Sequence, residues 1–594
     1  MPSLPSQQRK WWGSPPLTLV TLVALAALVL TLWLPFGWKV TGLYEEWYIM
    51  RDADTGHPLR MLYDPPYVSA AYRPLTLAPF VLGYLLTPSS FLGLNIIESL
   101  LLFGKGLAMY ALVRRLLPDT RGLAFVSAVF LVVYPSDSAL LTLRTTNVHA
   151  GVFFLLVALN LLVAAWQRFR WVTVLAMLLA EAIALAIYEA GILLMLCGPS
   201  LLVWLRRGID KQLFWVAVLW TAVPIYFVFH LIQTLRDPAS YPAGLVAGSG
   251  VGSDLSERLF SWLYSLTRAY VRHFGTAWYE SLRGLDWHDP HLHLSVALTL
   301  FVVTPALWLH ARRDDETKPV ADANRYLALA ALGLLAVPAG YLLYLPTGWR
   351  NTNWRVFLYS SIGAALTLAI VCFVVARVFG KWQRVVFVSL TAVLIAIATH
   401  HALVQHQGYF DYSQRQQQIL ANIIREAPHF EPGTTVLLVD HTPTAVLRAW
   451  SMCIAVSPCL EGALRYIYGD HTLRAMYCAP GYRPRRDFSE ECRFEADHAS
   501  VSYIHPGSRK EIRTSSPYSS LVAFSNSDQG LKVVNDISAY RAEPRTNGYE
   551  PSRRIDASSS VPPRALTVFT RWPFQLADPR LEHERGPVGC SPLC

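Results

Sequence analysis

Residues 17–33 read LTLVTLVALAALVLTLW, seventeen positions without a charge, and the sixteen residues before them carry Arg9 and Lys10. At about 1.5 Å per residue, an apolar helix with its flanks of this length covers a hydrocarbon core of roughly 30 Å. A secretory leader has a similar outline, but no small-residue cleavage site follows the run. It therefore reads as a retained first span with Arg9 and Lys10 in the cytoplasm.

Comparable runs recur along the first two thirds of the 594 residues and stop after about Val404. With 53% of residues hydrophobic and 15% charged, the chain is too apolar for an ordinary soluble protein of this size. The runs predict an α-helical polytopic membrane protein with about eleven transmembrane helices, at 16–36, 91–113, 122–138, 147–166, 171–187, 189–205, 212–232, 292–310, 326–345, 356–379 and 385–402. With the N-terminus inside, Arg114–Arg115, Arg168/Arg170, Arg206–Arg207/Lys211, Arg312–Arg313/Lys318 and Lys381/Arg384 all fall on the cytoplasmic side, as the positive-inside rule demands. The net charge of +10 has the same origin, because residues 401–594 hold 21 Lys and Arg against 20 Asp and Glu. Nucleic acid is not needed as a partner.

The expected organisation is a cytoplasmic N-terminus (1–15), a transmembrane domain (16–403) with outer loops 37–90 and 233–291, and an extracytoplasmic C-terminal domain (404–594). Leu75–Leu86 is too short to span comfortably, and the pair of runs around Glu189 reads as two spans or one bent unit. Tyr72–Leu86 has the character of an interfacial helix. So does Ser261–Phe274, with Trp262, Leu263, Leu266, Tyr270 and Phe274 at helical spacing. In the tail, a polar helix is expected at Ser413–Arg425 and strands at Thr434–Val439, Leu521–Ser525 and Ala565–Thr570. These predict a small mixed α and β domain, partly disordered from about Ser508. Cys453, Cys459, Cys478, Cys492, Cys590 and Cys594 form an even set in a region placed outside, which favours disulfides of unassigned pairing over zinc or free thiols. Cys197 and Cys372 fall inside spans as small apolar side chains.

The chemistry-bearing stretch follows the first span: Tyr44-Glu45-Glu46-Trp47, then Arg51, Asp52 and Asp54, then Tyr72-Arg73-Pro74. A carboxylate at a bilayer boundary suits a general base able to take a proton from a hydroxyl. Taken alone, a Glu pair is more often a solvated face. Glu181 and Glu189 stand in or at the ends of apolar runs; Glu189, beside Tyr188 and Gly191, is near the outer boundary where it could meet the first loop, or could serve as a neutral interhelical hydrogen-bond partner. Arg144 and His149 flank the next outer turn. Arg350 and Arg355, in TGWRNTNWRV with Trp349 and Trp354, suit either anion binding or plain interfacial anchoring.

The order of features resembles the C-type (GT-C) membrane glycosyltransferases, the group that includes protein mannosyltransferases and lipid A aminoarabinose transferases. The resemblance rests on Glu45-Glu46 in the first outer loop, Arg73-Pro74-Leu75, the Asn95–Arg115 segment and Val133-Tyr134-Pro135, and covers about residues 15–400. It implies an inverting transfer from a polyprenyl-phosphate sugar donor to an unknown glycan, lipid or protein acceptor at the outer face. On that implication Glu45 is the favoured catalytic base and Glu46 the second choice; Asp52, Asp54 and Glu189 support them, and Arg73, Arg350 and Arg355 bind the donor phosphate. Glu-Glu in place of the more frequent Asp-containing pair leaves open which carboxylate is the base. The family admits a divalent metal, which oxygen ligands of this cluster could hold, yet no spacing requires one. No other cofactor is implied, and membrane lipid is the remaining partner. A lipid or polysaccharide transporter or flippase would instead show polar residues buried in mid-span or inverted repeats, and an O-antigen ligase-like polymerase would place its main loop late in the chain. A silent scaffold would have no use for an early acidic loop.

Overall fold

The structure is a computed structural model and describes residues 15–43, 45–63, 73–206, 211–238, 240–247, 254–315, 323–352, 355–441, 457–480, 491–504, 511–540 and 548–560, with Pro562, Arg564, 570–571 and 575–576. Its helices run in the order α1 (Pro15–Trp33), α2 (Glu46–Thr55), α3 (Ala78–Leu86), α4 (Leu92–Leu116), α5 (Arg121–Val133) and α6 (Thr146–Gln167). They continue with α7 (Trp171–Ile187), α8 (Ile192–Arg206), α9 (Lys211–Arg236), α10 (Tyr241–Ala247), α11 (Leu255–Val271) and α12 (Ala277–Arg283). The last are α13 (Pro290–Leu298), α14 (Thr304–Asp315), α15 (Ala323–Ala339), α16 (Ser360–Arg377), α17 (Gln383–Glu426) and α18 (Ser457–Tyr468).

Among the described residues eight helical stretches are long and apolar enough to cross a membrane, and three shorter apolar helices, Arg121–Val133, Trp171–Ile187 and Glu189–Ser200, stand at the remaining expected positions. The polytopic helical class read from the apolar runs is the one observed. Helix ends sort into two groups. At one end Thr21 meets His310 at 3.0 Å and Gln212 donates to the carbonyls of Ala165 and Trp166. The basic residues Arg114, Arg121, Arg168, Arg312 and Arg384 lie in the turns and helix termini of that group. At the other end the Leu75 amide donates to the Ala186 carbonyl, Asn147 donates to Thr76, and His400 meets Asp289.

Local sequence explains where the elements stop. Helix α5 ends at Val133, five residues before the expected limit of 138, because Pro135 forces Tyr134 into extended backbone at φ −62°, ψ 124°. The expected span 385–402 and the expected polar helix Ser413–Arg425 are one helix of 44 residues, α17, since no proline intervenes and the single Gly408 is tolerated. At about 66 Å it reaches far beyond the hydrocarbon core and carries the chain into the tail. Leu75–Leu86 forms only the short α3, which does not cross. The expected interfacial helix Ser261–Phe274 is α11, prolonged through a π turn, Arg272–Thr276, into α12. Helices α15 and α16 meet at Gly333 and Gly363, where a Cβ on Gly363 would lie 2.3 Å from the Gly333 carbonyl oxygen. Only glycine permits that backbone approach.

The tail is a small α and β domain. Strands β1 (Thr435–Asp440), β2 (Arg474–Cys478), β6 (Leu521–Ser527) and β7 (Gly530–Val533) make a sheet of order β2-β1-β6-β7, parallel except for β7. Helix α18 is part of the connection between β1 and its parallel neighbour β2. An antiparallel sheet of β3 (Glu491–Phe494), β4 (His498–Ile504) and β5 (Glu511–Pro517) adjoins it. Within the stretch expected to be partly disordered from about Ser508, residues 511–533 form β5, β6 and β7, whose apolar residues Leu521, Val522, Ala523, Phe524 and Leu531 are buried. A disulfide joins Cys478 to Cys492, Cys459 is also disulfide-bonded, and Cys197 and Cys372 are free. Cys453, Cys590 and Cys594, and most of the expected strand Ala565–Thr570, lie outside the described residues.

Candidate functional site

The first outer loop supplies the carboxylates. Glu45 is the residue before α2, with its side chain 53% exposed, and its carboxylate forms an ion pair with Arg144 in the turn that opens α6. Glu46, one residue on, is turned inward and 1% exposed, its Cβ lying against Gly42. The helical geometry of α2 explains the divergence: successive side chains point about 100° apart, so one of the pair faces out when the other is buried. Of the two, only Glu45 presents its carboxylate to solvent.

Arg73 carries the second part. Its Nε and Nη2 donate to the two carboxylate oxygens of Glu189, a fork matched to a carboxylate, and its guanidinium lies over the Tyr188 ring at 4.3 Å. Tyr188 and Glu189 sit at the break between α7 and α8, where a 3-10 turn, Glu189–Gly191, separates the helices. Two separate helices stand there, each shorter than the eight stretches long enough to cross a membrane. Around Tyr188, the Tyr344 hydroxyl lies 3.3 Å from its Oη and the Tyr359 hydroxyl 3.3 Å from its carbonyl. Gly151 and Gly191 make room for the Tyr359 ring, since a Cβ on either would fall 2.1 Å from Oη or 2.9 Å from Cε1.

Asp137 was not singled out from the sequence, and it organises the third part. It is buried in the turn after α5, where its carboxylate accepts the backbone N–H of Ala139 and Arg355 at 2.8 Å and of Phe357 at 3.0 Å. Burial pushes this carboxyl up to about 6; against that, the three N–H donors and the Arg272 guanidinium favour the charged form. The clasp holds Arg355 in a left-handed backbone conformation at φ 52°, which costs a non-glycine residue on the order of 1 kcal/mol. The Arg355 guanidinium then stacks over Trp349 at 4.5 Å and lies within electrostatic reach of Tyr344. An acidic residue two positions after Pro135, in an outer turn, was the available signal for Asp137.

These parts close into a ring. Glu45 leads to Arg144; the turn containing Arg144 continues to Asn147, which bonds Thr76, three residues from Arg73. Arg73 leads through Tyr188 and Tyr344 to Arg355, and Arg355 through Asp137 back to the turn that bears Arg144. The other residues singled out from the sequence stand elsewhere. Arg350 is buried and donates to the carbonyls of Thr347 at 2.9 Å and Leu345 at 3.5 Å, so its guanidinium shapes its own loop. Asp52 pairs with its neighbour Arg51, and Asp54 pairs with Arg564 of the tail. Among the described residues no three His, Cys, Asp or Glu side chains converge as a metal site. The carboxylates of Glu45, Asp52 and Asp54 each face a guanidinium instead.

Beneath the ring, inside the helical bundle, Glu98 and Lys105 of α4 flank His149 of α6, each 3.2 Å from an imidazole nitrogen, and all three are buried. His149 also lies 2.8 Å from the Leu140 carbonyl, which ties it to the Asp137 turn. Glu181 is buried in α7.

No family model matches the chain, and no curated protein matches it. Among solved structures it is similar to ArnT from Cupriavidus metallidurans, a crystal structure bound to undecaprenyl phosphate, at 14% identity and a TM-score of 0.30, covering 71% of this chain and 82% of that one.

Proposed function

We infer that the chain is an integral membrane glycosyltransferase that moves a sugar from a polyprenyl-phosphate donor to an acceptor hydroxyl at the outer, non-cytoplasmic face. One observation carries this reading: a half-exposed carboxylate, Glu45, shares a ring of contacts with two guanidinium groups, Arg73 and Arg355, each backed by an aromatic face at the apolar boundary. Inverting transfer needs these two kinds of group. Glu45 takes the proton of the acceptor hydroxyl as its oxygen bonds to the anomeric carbon. The bond from that carbon to the phosphate oxygen breaks, the electron pair leaves with the lipid phosphate, and Arg73 and Arg355 hold the anion. Arg144 orients Glu45, and Asp137 sets the backbone that presents Arg355. The disulfide in the tail supports an oxidising, extracytoplasmic location for it, and with the positive-inside rule a cytoplasmic N-terminus is the reading we favour.

The test is acceptor-dependent release of polyprenyl phosphate from a labelled polyprenyl-phosphate sugar by the purified protein. Release above a protein-free control supports the reading, and none with any of a panel of donors contradicts it.

The buried Glu98–His149–Lys105 cluster favours a second reading, a lipid transporter, because intramembrane ionisable groups commonly mark a translocation path. Movement of the intact lipid-linked sugar across a proteoliposome without cleavage would select it.

A further inference from the structure

The acidic loop does not hold its own shape. Helix α2 has ten residues, below the roughly 12–15 at which an isolated helix becomes even marginal in water, so its place is set by what it packs against. On one side these contacts come from the membrane part: the Trp47 indole lies edge-on to Phe91 at 4.8 Å, and its Nε1 donates to the Gly42 carbonyl at 2.6 Å. On the other side they come from the tail. Tyr48 lies against α18 so closely that a Cβ on Gly462 would fall 2.8 Å from its ring. At the far end of α2, Asp54 accepts the Tyr84 hydroxyl at 3.0 Å and pairs with Arg564, whose Nη1 also donates to the Tyr466 carbonyl at the end of α18. The stretch before α2 is held by α17: Ser413 accepts the Thr41 amide at 2.8 Å, and Gln416 donates to the Gly42 carbonyl at 2.5 Å. One apolar core joins Trp47 and Met50 of the loop to Leu420 of α17, Leu464 of α18 and Phe524 of β6.

We propose that the C-terminal domain is a positioning element for Glu45: through the Asp54–Arg564 ion pair and the Gly462–Tyr48 contact it fixes α2, and hence the carboxylate at its N-terminus, opposite Arg144. The proposal rests on the catalytic assignment of Glu45 for its consequence in turnover, but its structural content does not. Asp54 and Arg564 are positioning residues; neither stands in the ring of contacts that holds Arg73 and Arg355.

The experiment compares full-length wild type with Asp54→Asn, Arg564→Gln and Arg564→Lys in detergent, reading both hydrogen exchange over residues 45–55 and donor turnover. Gly462→Val serves as a second probe from the other contact. Asp54→Asn and Arg564→Gln are expected to raise exchange in α2 several-fold and leave exchange in α4 and α6 unchanged. They lower kcat about tenfold with donor KM within twofold, because Arg73 and Arg355 are not moved; about tenfold is what loss of alignment worth roughly 1.4 kcal/mol produces. Arg564→Lys, which keeps the charge, is expected to recover most of both. Wild-type exchange in α2 for both Asp54→Asn and Arg564→Gln would overturn the proposal, as would raised exchange with unchanged kcat. If wild type turns over no donor, the glycosyltransferase reading fails and the exchange result alone decides whether the tail fixes α2.

Discussion

Arg73 and Glu189 stand 116 residues apart in the chain and meet as a two-pronged ion pair over the face of Tyr188. The first outer loop is thereby tied to the break between α7 and α8.

Arg73→Lys retains the charge but loses the planar fork and much of the stacking on Tyr188. Donor KM in steady-state turnover is expected to rise at least about tenfold, while thermal stability in detergent changes little. A KM within twofold of wild type would remove Arg73 from phosphate binding.

Asp137 makes stability depend on pH with a definite sign. Its carboxyl is pushed up to about 6 in the folded chain, mainly by burial, and returns to the ordinary range near 4 on unfolding. Below that range both states hold the proton; between about pH 4 and 6 only the folded chain does. Stability from this group is therefore fully present at the acid end and lost as pH rises through about 6, on the order of 3 kcal/mol in all. The difference in melting temperature between wild type and Asp137→Asn, which has no such proton to lose, should shift against wild type from pH 4.5 to pH 7. A difference independent of pH contradicts the assignment.

The pocket for Tyr359 is cut by two glycines, and Gly151 is the tighter. Gly151→Ala should destabilise the protein by about 1–3 kcal/mol, as overpacking does. Adding Tyr359→Phe removes the hydroxyl that the new methyl would strike and should recover part of the loss. A double variant no more stable than Gly151→Ala would show that the methyl is accommodated elsewhere.

Thiol labelling with a membrane-impermeant reagent reads the location of the tail. Before reduction Cys459, Cys478 and Cys492 should be unreactive, and after reduction they should label from the outside in intact cells. Full labelling without reductant would contradict an oxidising location.

The spans were legible because an uninterrupted apolar run of twenty residues has few alternatives, and the basic turns sorted their ends. Boundaries failed where a local signal was outweighed: Pro135 ended α5 early, and α17 ran on through polar sequence because nothing broke it. Glu45, Arg73 and Glu189 could be singled out since charge at a membrane boundary is conspicuous. The Asp137 clasp and the inward turn of Glu46 could not, because the first joins segments about 220 residues apart and the second depends on which way a side chain points once α2 is packed. Arg350, in an outer Trp-rich loop, is buried, and its Nη1 donates to the Thr347 and Leu345 carbonyls, an orientation its sequence neighbours do not reveal.

The most direct test of the account is turnover of a polyprenyl-phosphate sugar by purified Glu45→Gln beside Glu46→Gln and wild type. Loss of a general base costs about 10²–10⁴-fold, so Glu45→Gln should lose that much kcat with donor KM within about twofold, and Glu46→Gln, altered at a buried site, should keep far more activity once folded. Turnover by Glu45→Gln within twofold of wild type would contradict the assignment of Glu45 as the base.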